Sequence, residues 1–190
     1  MKRVNWGIIG LGNMANHHLK SFEKSKNCQL RGIASKNSQK LKNFRKKINI
    51  QDIFCSNNYE DLIKNSEIDI IYITLPNSHH YEWINKCIDH GKHVLVEKPI
   101  TENLFQLEKI KSKLLQKKTS ILIYEGFMYK YYPQIKKVLD LVHNNEIGEI
   151  KKIVSNFGVN LLTKNFFYFF KKKKKIYKEN RLFNKKLGGG

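Results

Sequence analysis

The sequence predicts an α/β fold: a doubly wound parallel sheet, followed by the start of a mixed α+β second domain. Three observations predict it. Over the first 125 residues, short apolar runs alternate with amphipathic stretches, as strands do with the helices that connect them. A glycine turn, Gly7-Ile8-Ile9-Gly10-Leu11-Gly12-Asn13-Met14-Ala15, lies between the first apolar run and the first amphipathic stretch. Beyond it, residues 126–190 change pattern, to a helix and then a run that alternates residue by residue. The expected division is therefore 1–125 for the sheet domain and 126–190 for the incomplete start of a second domain.

The elements follow in order. Val4 to Ile9 reads as a buried strand, and Met14 to Lys24 has a loose helical spacing of Met14, Ala15, Leu19 and Phe22. Leu30 to Ala34 is a second strand, and Ser38 to Lys47 a helix capped by Asn37 or Ser38. Phe54-Cys55 is a short strand and Tyr59 to Lys64 a short helix. Ile68 to Thr74 is β-branched and continuous, as suits a parallel strand covered on both faces. Ser78 to His90 is a helix that Gly91 closes, and His93 to Val96 is a strand. Thr101 to Lys117 is a long helix and Ile121 to Tyr124 the last strand of the series. Pro133 to Asn144 is again helical, Ile147 to Ile150 a turn, and Lys152 to Val159 a strand with one wet face. Phe166 to Lys175 shows neither period and reads as an irregular, low-complexity segment. The chain is expected to be truncated within the second domain, since it stops on Gly188-Gly189-Gly190.

Bulk properties narrow the classes. Apolar residues make up 41% of the 190, ordinary for a globular chain and too many for a disordered one. No apolar run reaches the ~18 residues needed to cross a bilayer, and no signal peptide is expected at Lys2-Arg3. Cys28, Cys55 and Cys87 lack metal or disulfide spacing, so no metal is expected and the setting reads as reducing and cytoplasmic. The net charge of +20 is nearly all lysine; Arg3, Arg31, Arg45 and Arg181 are the arginines. Nucleic-acid recognition favours arginine's planar fork. A solvated lysine surface is therefore expected, with no specific nucleic-acid partner. A membrane-surface anchor at Phe166–Lys175 is the sharper alternative reading of that segment.

The glycine turn carries the first chemistry. Gly10 permits a tight turn, Gly12 lets a pyrophosphate approach the backbone, and small Ala15 lets the helix pack close. The helix N-terminus, at Asn13 and Met14, would face the phosphates. An acid some 20 residues on would bind the ribose 2′-hydroxyl of NAD. This chain instead has Ser35 and Lys36 after strand two. A hydroxyl and a positive charge suit a 2′-phosphate, so NADP is expected over NAD.

Three further segments sit at strand ends, where open α/β sheets bind ligands. They are Thr74-Leu75-Pro76-Asn77-Ser78-His79-His80, Glu97-Lys98-Pro99, and Glu125 to Pro133. Gly7-x-x-Gly10-x-Gly12-x-x-Ala15, Pro76-Asn77-x-x-His80 and Glu97-Lys98-Pro99 together resemble the N-terminal motifs of the Gfo/Idh/MocA oxidoreductase family, in order and spacing. The resemblance runs from residue 3 to about residue 160. Glu125 to Pro133 with Ile147-Gly148-Glu149 looks closest to the branch of D-xylose and dimeric dihydrodiol dehydrogenases. That branch usually has arginine where this chain has Lys130, which keeps the charge and loses the bidentate geometry.

The resemblance implies a Rossmann domain binding NADP, with NAD possible. It implies that Lys98 is catalytic, binding the substrate hydroxyl and helping to move its proton. A lysine partly removed from water becomes a usable acid or base, and Pro99, in a cis or trans bond, fixes the backbone beside it. Glu97 would orient Lys98 or contact the cofactor. Leu75, Pro76, Asn77 and His80 would line the nicotinamide–ribose side, His80 being alternatively a helix-start residue. Glu125 and Lys130 would join Lys98 toward a sugar or related diol substrate. His17, His18, His79, His90 and His93 read as structural or exposed. The family's remaining catalytic residues and usual homo-oligomer interface would lie beyond Gly190. The reading is a dehydrogenase acting on a CH–OH group, or alternatively a dinucleotide-binding fragment without catalysis.

Overall fold

The computed structural model describes residues 3–117, 120–156, 163–165, 171–173 and 186. Six strands lie in chain order: β1 (Val4–Ile9), β2 (Cys28–Ala34), β3 (Phe54–Ser56), β4 (Ile70–Ile73), β5 (His93–Val96) and β6 (Ile123–Glu125). They form one parallel sheet in the spatial order β3-β2-β1-β4-β5-β6. The order reverses at β1, and that reversal opens the crevice in which doubly wound sheets take ligands.

Helices lie on both faces. Ile8, Ile33 and Tyr72 pack with Ala15 and Leu19 of α1 (Asn13–Lys24) and Phe44 of α2 (Ser38–Arg45). On the other face Ile9, Ile71, Ile73, Val94 and Val96 meet α3 (Tyr59–Lys64), α4 (His80–Asp89) and α5 (Leu104–Gln116). Ile8 and Ile9 are neighbours in β1 and both fully buried, because successive side chains of a sandwiched strand enter opposite cores. Each such isoleucine contributes about 1.5–3 kcal/mol on burial. α1 and α2 cover the β3-β2-β1 half of their face. Over β4, β5 and β6 that face carries an open apolar groove of about 760 Å³, lined by Trp6, Tyr72, Leu95, Leu122, Tyr124 and Phe127 among others.

Several boundaries differ from the sequence reading. The fourth helix begins as a 3-10 turn, Asn77–His79, before α4 proper, and Gly91 closes it at φ 68°. α5 starts at Leu104 rather than Thr101, because the Asn103 side chain accepts the Gln106 N–H at 3.0 Å. β6 starts two residues later than expected and ends one later, where its backbone pairs Ile123–Glu125 with Val94–Val96 of β5.

Past β6 a 3-10 turn at Met128–Tyr131 leads into α6 (Pro133–His143), with Pro133 in its first turn. Gly148, at φ 66°, supplies the expected turn. The strand expected from Lys152 is absent over residues 151–156. Ile153 and Val154 lie exposed, and alternation alone makes no strand without a neighbour to pair with. Phe157, Gly158 and Val159 lie outside the described residues, as do Phe166–Phe170 and the terminal glycines. Within the stretch read as irregular, Lys171–Lys173 forms β8, antiparallel to β7 (Thr163–Asn165). Backbone pairing requires no apolar alternation, which is why the composition did not announce it.

Candidate functional site

The glycine turn joins β1 to α1 with two glycines in different roles. Gly10 has φ 83°, and a Cβ there would meet Leu75 Cδ2 at 2.7 Å and the Thr74 carbonyl oxygen at 3.1 Å. The Thr74 hydroxyl donates to the Gly10 carbonyl, and the Thr74 N–H donates to Ile9 O at 3.0 Å. Gly10 therefore allows the ends of β1 and β4 to touch. Gly12 precedes α1, and a Cβ there would meet nothing within 4 Å. No side chain caps α1, and its first turn holds no acid, so the N–H groups at Asn13 and Met14 keep their donor capacity and the positive end of the helix dipole. Asn13 is exposed and Met14 half-buried. Ala15 is fully buried beneath them.

At the end of β2, Ser35 is buried and its oxygen accepts the Asn37 N–H at 3.2 Å. The Asn57 amide donates to its carbonyl at 2.9 Å. Ser35 thus builds the turn that presents Lys36. The exposed Lys36 lies with its Nζ 5.7 Å from the Tyr59 ring centroid and 6.0 Å from that of Trp83. Aromatic faces attract a cation at such distances and hold this one at the strand end.

The Glu97-Lys98-Pro99 turn follows β5, with a cis bond between Lys98 and Pro99. Glu97 does not pair with Lys98; its carboxylate accepts the Tyr72 hydroxyl. Burial, then the hydrogen bond to Glu97, then its charge, push the Tyr72 hydroxyl far above the ordinary tyrosine value. Glu125 Oε1 accepts the Ile100 N–H at 2.9 Å, so one oxygen of its carboxylate braces the turn. His80 is 0% exposed, so it does not line the crevice. Its Nδ1 lies 2.7 Å from Pro99 O and its Nε2 3.0 Å from Leu75 O. Lys98 itself is exposed and makes no hydrogen bond or ion pair among the described residues. The desolvation expected of it is not provided by these residues.

Gly10, Leu75, Pro76, Asn77, Glu97, Lys98 and Glu125 are thus brought to the carboxyl ends of adjacent strands β1, β4, β5 and β6. Leu75 is buried, while Pro76 and Asn77 are half-buried. Lys130 is exposed on the 3-10 turn beyond β6 and does not line the groove. The groove reaches the strand ends at Glu97 and Glu125, but Gly10, Gly12 and Lys98 are not in its wall. The cofactor crevice and the groove are separate features.

Sequence reasoning missed Tyr72 as a site residue and gave Thr74 no role beyond its place in the strand-end segment. A signal existed for Tyr72, since a tyrosine in a buried parallel strand needs a partner for its hydroxyl. Lys92, buried at the opposite end of β5, donates to Asn65 O at 2.7 Å and Ile68 O at 2.6 Å, and burial lowers its pKa. It ties down a turn far from the crevice. Burial raises the Cys87 thiol to about 12, which leaves it inert. Among the described residues no cluster of His, Cys, Asp and Glu is arranged for a metal, and no helix is long and apolar enough to cross a membrane.

Comparison with known proteins agrees with this geometry. Trans-1,2-dihydrobenzene-1,2-diol dehydrogenase of Xenopus tropicalis is 29% identical over 189 residues, covering 98% of this chain and 52% of that protein. The D-xylose 1-dehydrogenase (NADP(+)) 2 of Haloferax volcanii is 26% identical over 156 residues, covering 82% and 46%. A 3-ketoreductase from Actinomadura kijaniata, solved with NADP and TDP-benzene, superposes with TM-score 0.69 at 29% identity, over 78% of this chain and 44% of that one. The chain spans about half the length of the curated relatives it matches. Residues 4–125 match the Gfo/Idh/MocA family, described as an oxidoreductase family with an NAD-binding Rossmann fold. With more than half of its length inside that match and the sheet order and glycine turn to go with it, the chain belongs to the Gfo/Idh/MocA oxidoreductase family.

Proposed function

We propose that this chain is the dinucleotide-binding part of an NADP-dependent dehydrogenase acting on the CH–OH group of a sugar or related diol, with residues 126–190 opening its substrate domain. The observation that carries the reading is Lys98: an exposed side chain, with no hydrogen bond or ion pair among the described residues, on a turn braced at Glu97, Pro99 and Ile100. The NADP-dependent relative acting on D-xylose and the diol dehydrogenase support the substrate class.

The residues fit the cofactor. Gly12 leaves open space at an uncapped helix start, which suits a pyrophosphate. Lys36 suits a 2′-phosphate, and Leu75, Pro76 and Asn77 would border the other half of the dinucleotide. When bound, the nicotinamide accepts or supplies the hydride. Lys98 Nζ would hold the substrate hydroxyl; as the neutral amine it would take that proton during oxidation, and as the ammonium so formed return it during reduction. Tyr72, His80 and Glu125 would hold the Lys98 backbone steady. Three unpaired cysteines suit a reducing, cytoplasmic setting.

The test is titration with NADP and NAD at physiological salt, with sugar-dependent reduction followed alongside. NADP should bind more tightly; tighter binding of NAD would overturn the cofactor reading. Because the chain spans about half of its relatives, binding without turnover is the second reading. Lys98→Ala separates the two in any active form: a catalyst loses rate and keeps cofactor affinity.

A further inference from the structure

We propose that His80 is a positioning residue, which locks the segment after β4 and the Lys98 turn after β5 into one wall for the nicotinamide half of the dinucleotide, without touching it. The inference rests on the dinucleotide reading above. β4 and β5 are neighbours in the sheet, so their loops emerge side by side. Nothing in strand pairing holds the loops together once the strands end. His80 does so. It opens α4 and is fully buried, with one ring nitrogen 3.0 Å from the Leu75 carbonyl and the other 2.7 Å from the Pro99 carbonyl. Both ring nitrogens thus face backbone acceptors on different loops. The doubly protonated ring satisfies both, and a neutral ring donates to one.

The second tie lands where the turn has fewest handles. Pro99 has no N–H, so its carbonyl and the Ile100 N–H are the nearest backbone groups after Lys98. His80 takes the carbonyl, and the Glu125 carboxylate takes the N–H at 2.9 Å. The Pro99–Ile100 peptide unit, one beyond the Lys98–Pro99 bond, is held at both ends by side chains from different elements. A dinucleotide lying across a doubly wound sheet places one nucleotide on each side of the strand reversal. His80 belongs to the β4–β5 side, and Lys36 to the other.

That division supplies the test. The full 190-residue chain is titrated with NADP and with adenosine 2′,5′-bisphosphate, which lacks the nicotinamide half. His80→Ala should weaken NADP about tenfold and leave the bisphosphate within about twofold. His80→Asn, whose amide N–H can donate to the Pro99 carbonyl from near the place of ring Nδ1, should recover part of the loss. If the alanine variant does not fold, His80→Asn carries the test, with NADP weakened by less than tenfold and the bisphosphate still within about twofold. Equal weakening of both ligands, or no change in either, would overturn the proposal. Amide exchange reads the tie without ligand: Ile100 should exchange about tenfold faster in His80→Ala while β1 and β2 amides are unchanged. An unchanged Ile100 sinks the proposal. A wild-type chain that binds neither ligand would refute the dinucleotide reading instead, and exchange at Ile100 would still decide the tie.

Discussion

Gly10 and Gly12 stand two residues apart and respond to substitution in opposite ways. Gly10→Ala puts a Cβ at φ 83° and 2.7 Å from Leu75 Cδ2, so it should cost about 1–3 kcal/mol of stability. Gly12→Ala meets open space within the protein. Its melting curve should match the wild type while NADP affinity drops about tenfold; denaturation and titration of the pair check this. Tyr72 makes a third residue-scale prediction. Its pKa is raised from 10.0 by burial and by Glu97, so the fold keeps the phenol neutral where the unfolded chain would ionise. The unfolded state then binds fewer protons than the native state above that pH, and stability falls as pH rises. The contribution is intact below pH 10.0 and lost above it. Stability measured from pH 8 to pH 11 should fall less steeply in Tyr72→Phe, which should also cost about 1 kcal/mol at neutral pH through the lost bond to Glu97.

Among the elements, those bounded by a chemically unmistakable residue were legible. Pro133 starts α6, Gly91 ends α4, and the ranges of β1 and α3 match the sequence reading residue for residue. Starts set by a choice between similar caps were not. Thr101 and Asn103 both suit a helix N-terminus, and periodicity reports the buried face rather than the first residue. The bond from Gln106 N–H to Asn103 decides it. Asn103→Ala should therefore destabilise the chain by about 1 kcal/mol, whereas Thr101→Ala, removing one exposed hydroxyl contact to Asn103 O, should cost less. Urea midpoints of the two variants give the comparison. The site followed the same rule. Gly10, Gly12 and Lys98 announced themselves by motif, whereas Tyr72 on Glu97, Pro99 on His80 and Ile100 on Glu125 are partners 19 to 25 residues away, a pairing that no motif names.

At the scale of the molecule, charge and surface dominate. A charge of +20, almost all lysine, should give retention on polyanions that collapses with added salt. Dinucleotide binding should fall far less over the same range, since a shaped loop survives where a diffuse ion atmosphere does not. Equal salt slopes for the two would show that the lysine cloud, not the glycine turn, binds the nucleotide. The groove over β4, β5 and β6 leaves Leu122 70% and Phe127 54% exposed. An apolar surface of this kind is open to dyes that report exposed hydrophobic area.

The sequence by itself determined the alternating plan, the two glycines of the turn, the lysine of the Glu97-Lys98-Pro99 motif and the missing acid after β2. Each is a property of neighbouring residues: a period, a spacing or a side chain that is absent. Tertiary structure alone decided what surrounds Lys98. Tyr72 on Glu97, His80 across Leu75 and Pro99, and Glu125 on Ile100 are contacts between residues 5 to 25 apart. They exist because parallel pairing brings the ends of β4, β5 and β6 together. Hydrogen bonds form between groups that packing makes adjacent, and spacing along the chain carries little record of them.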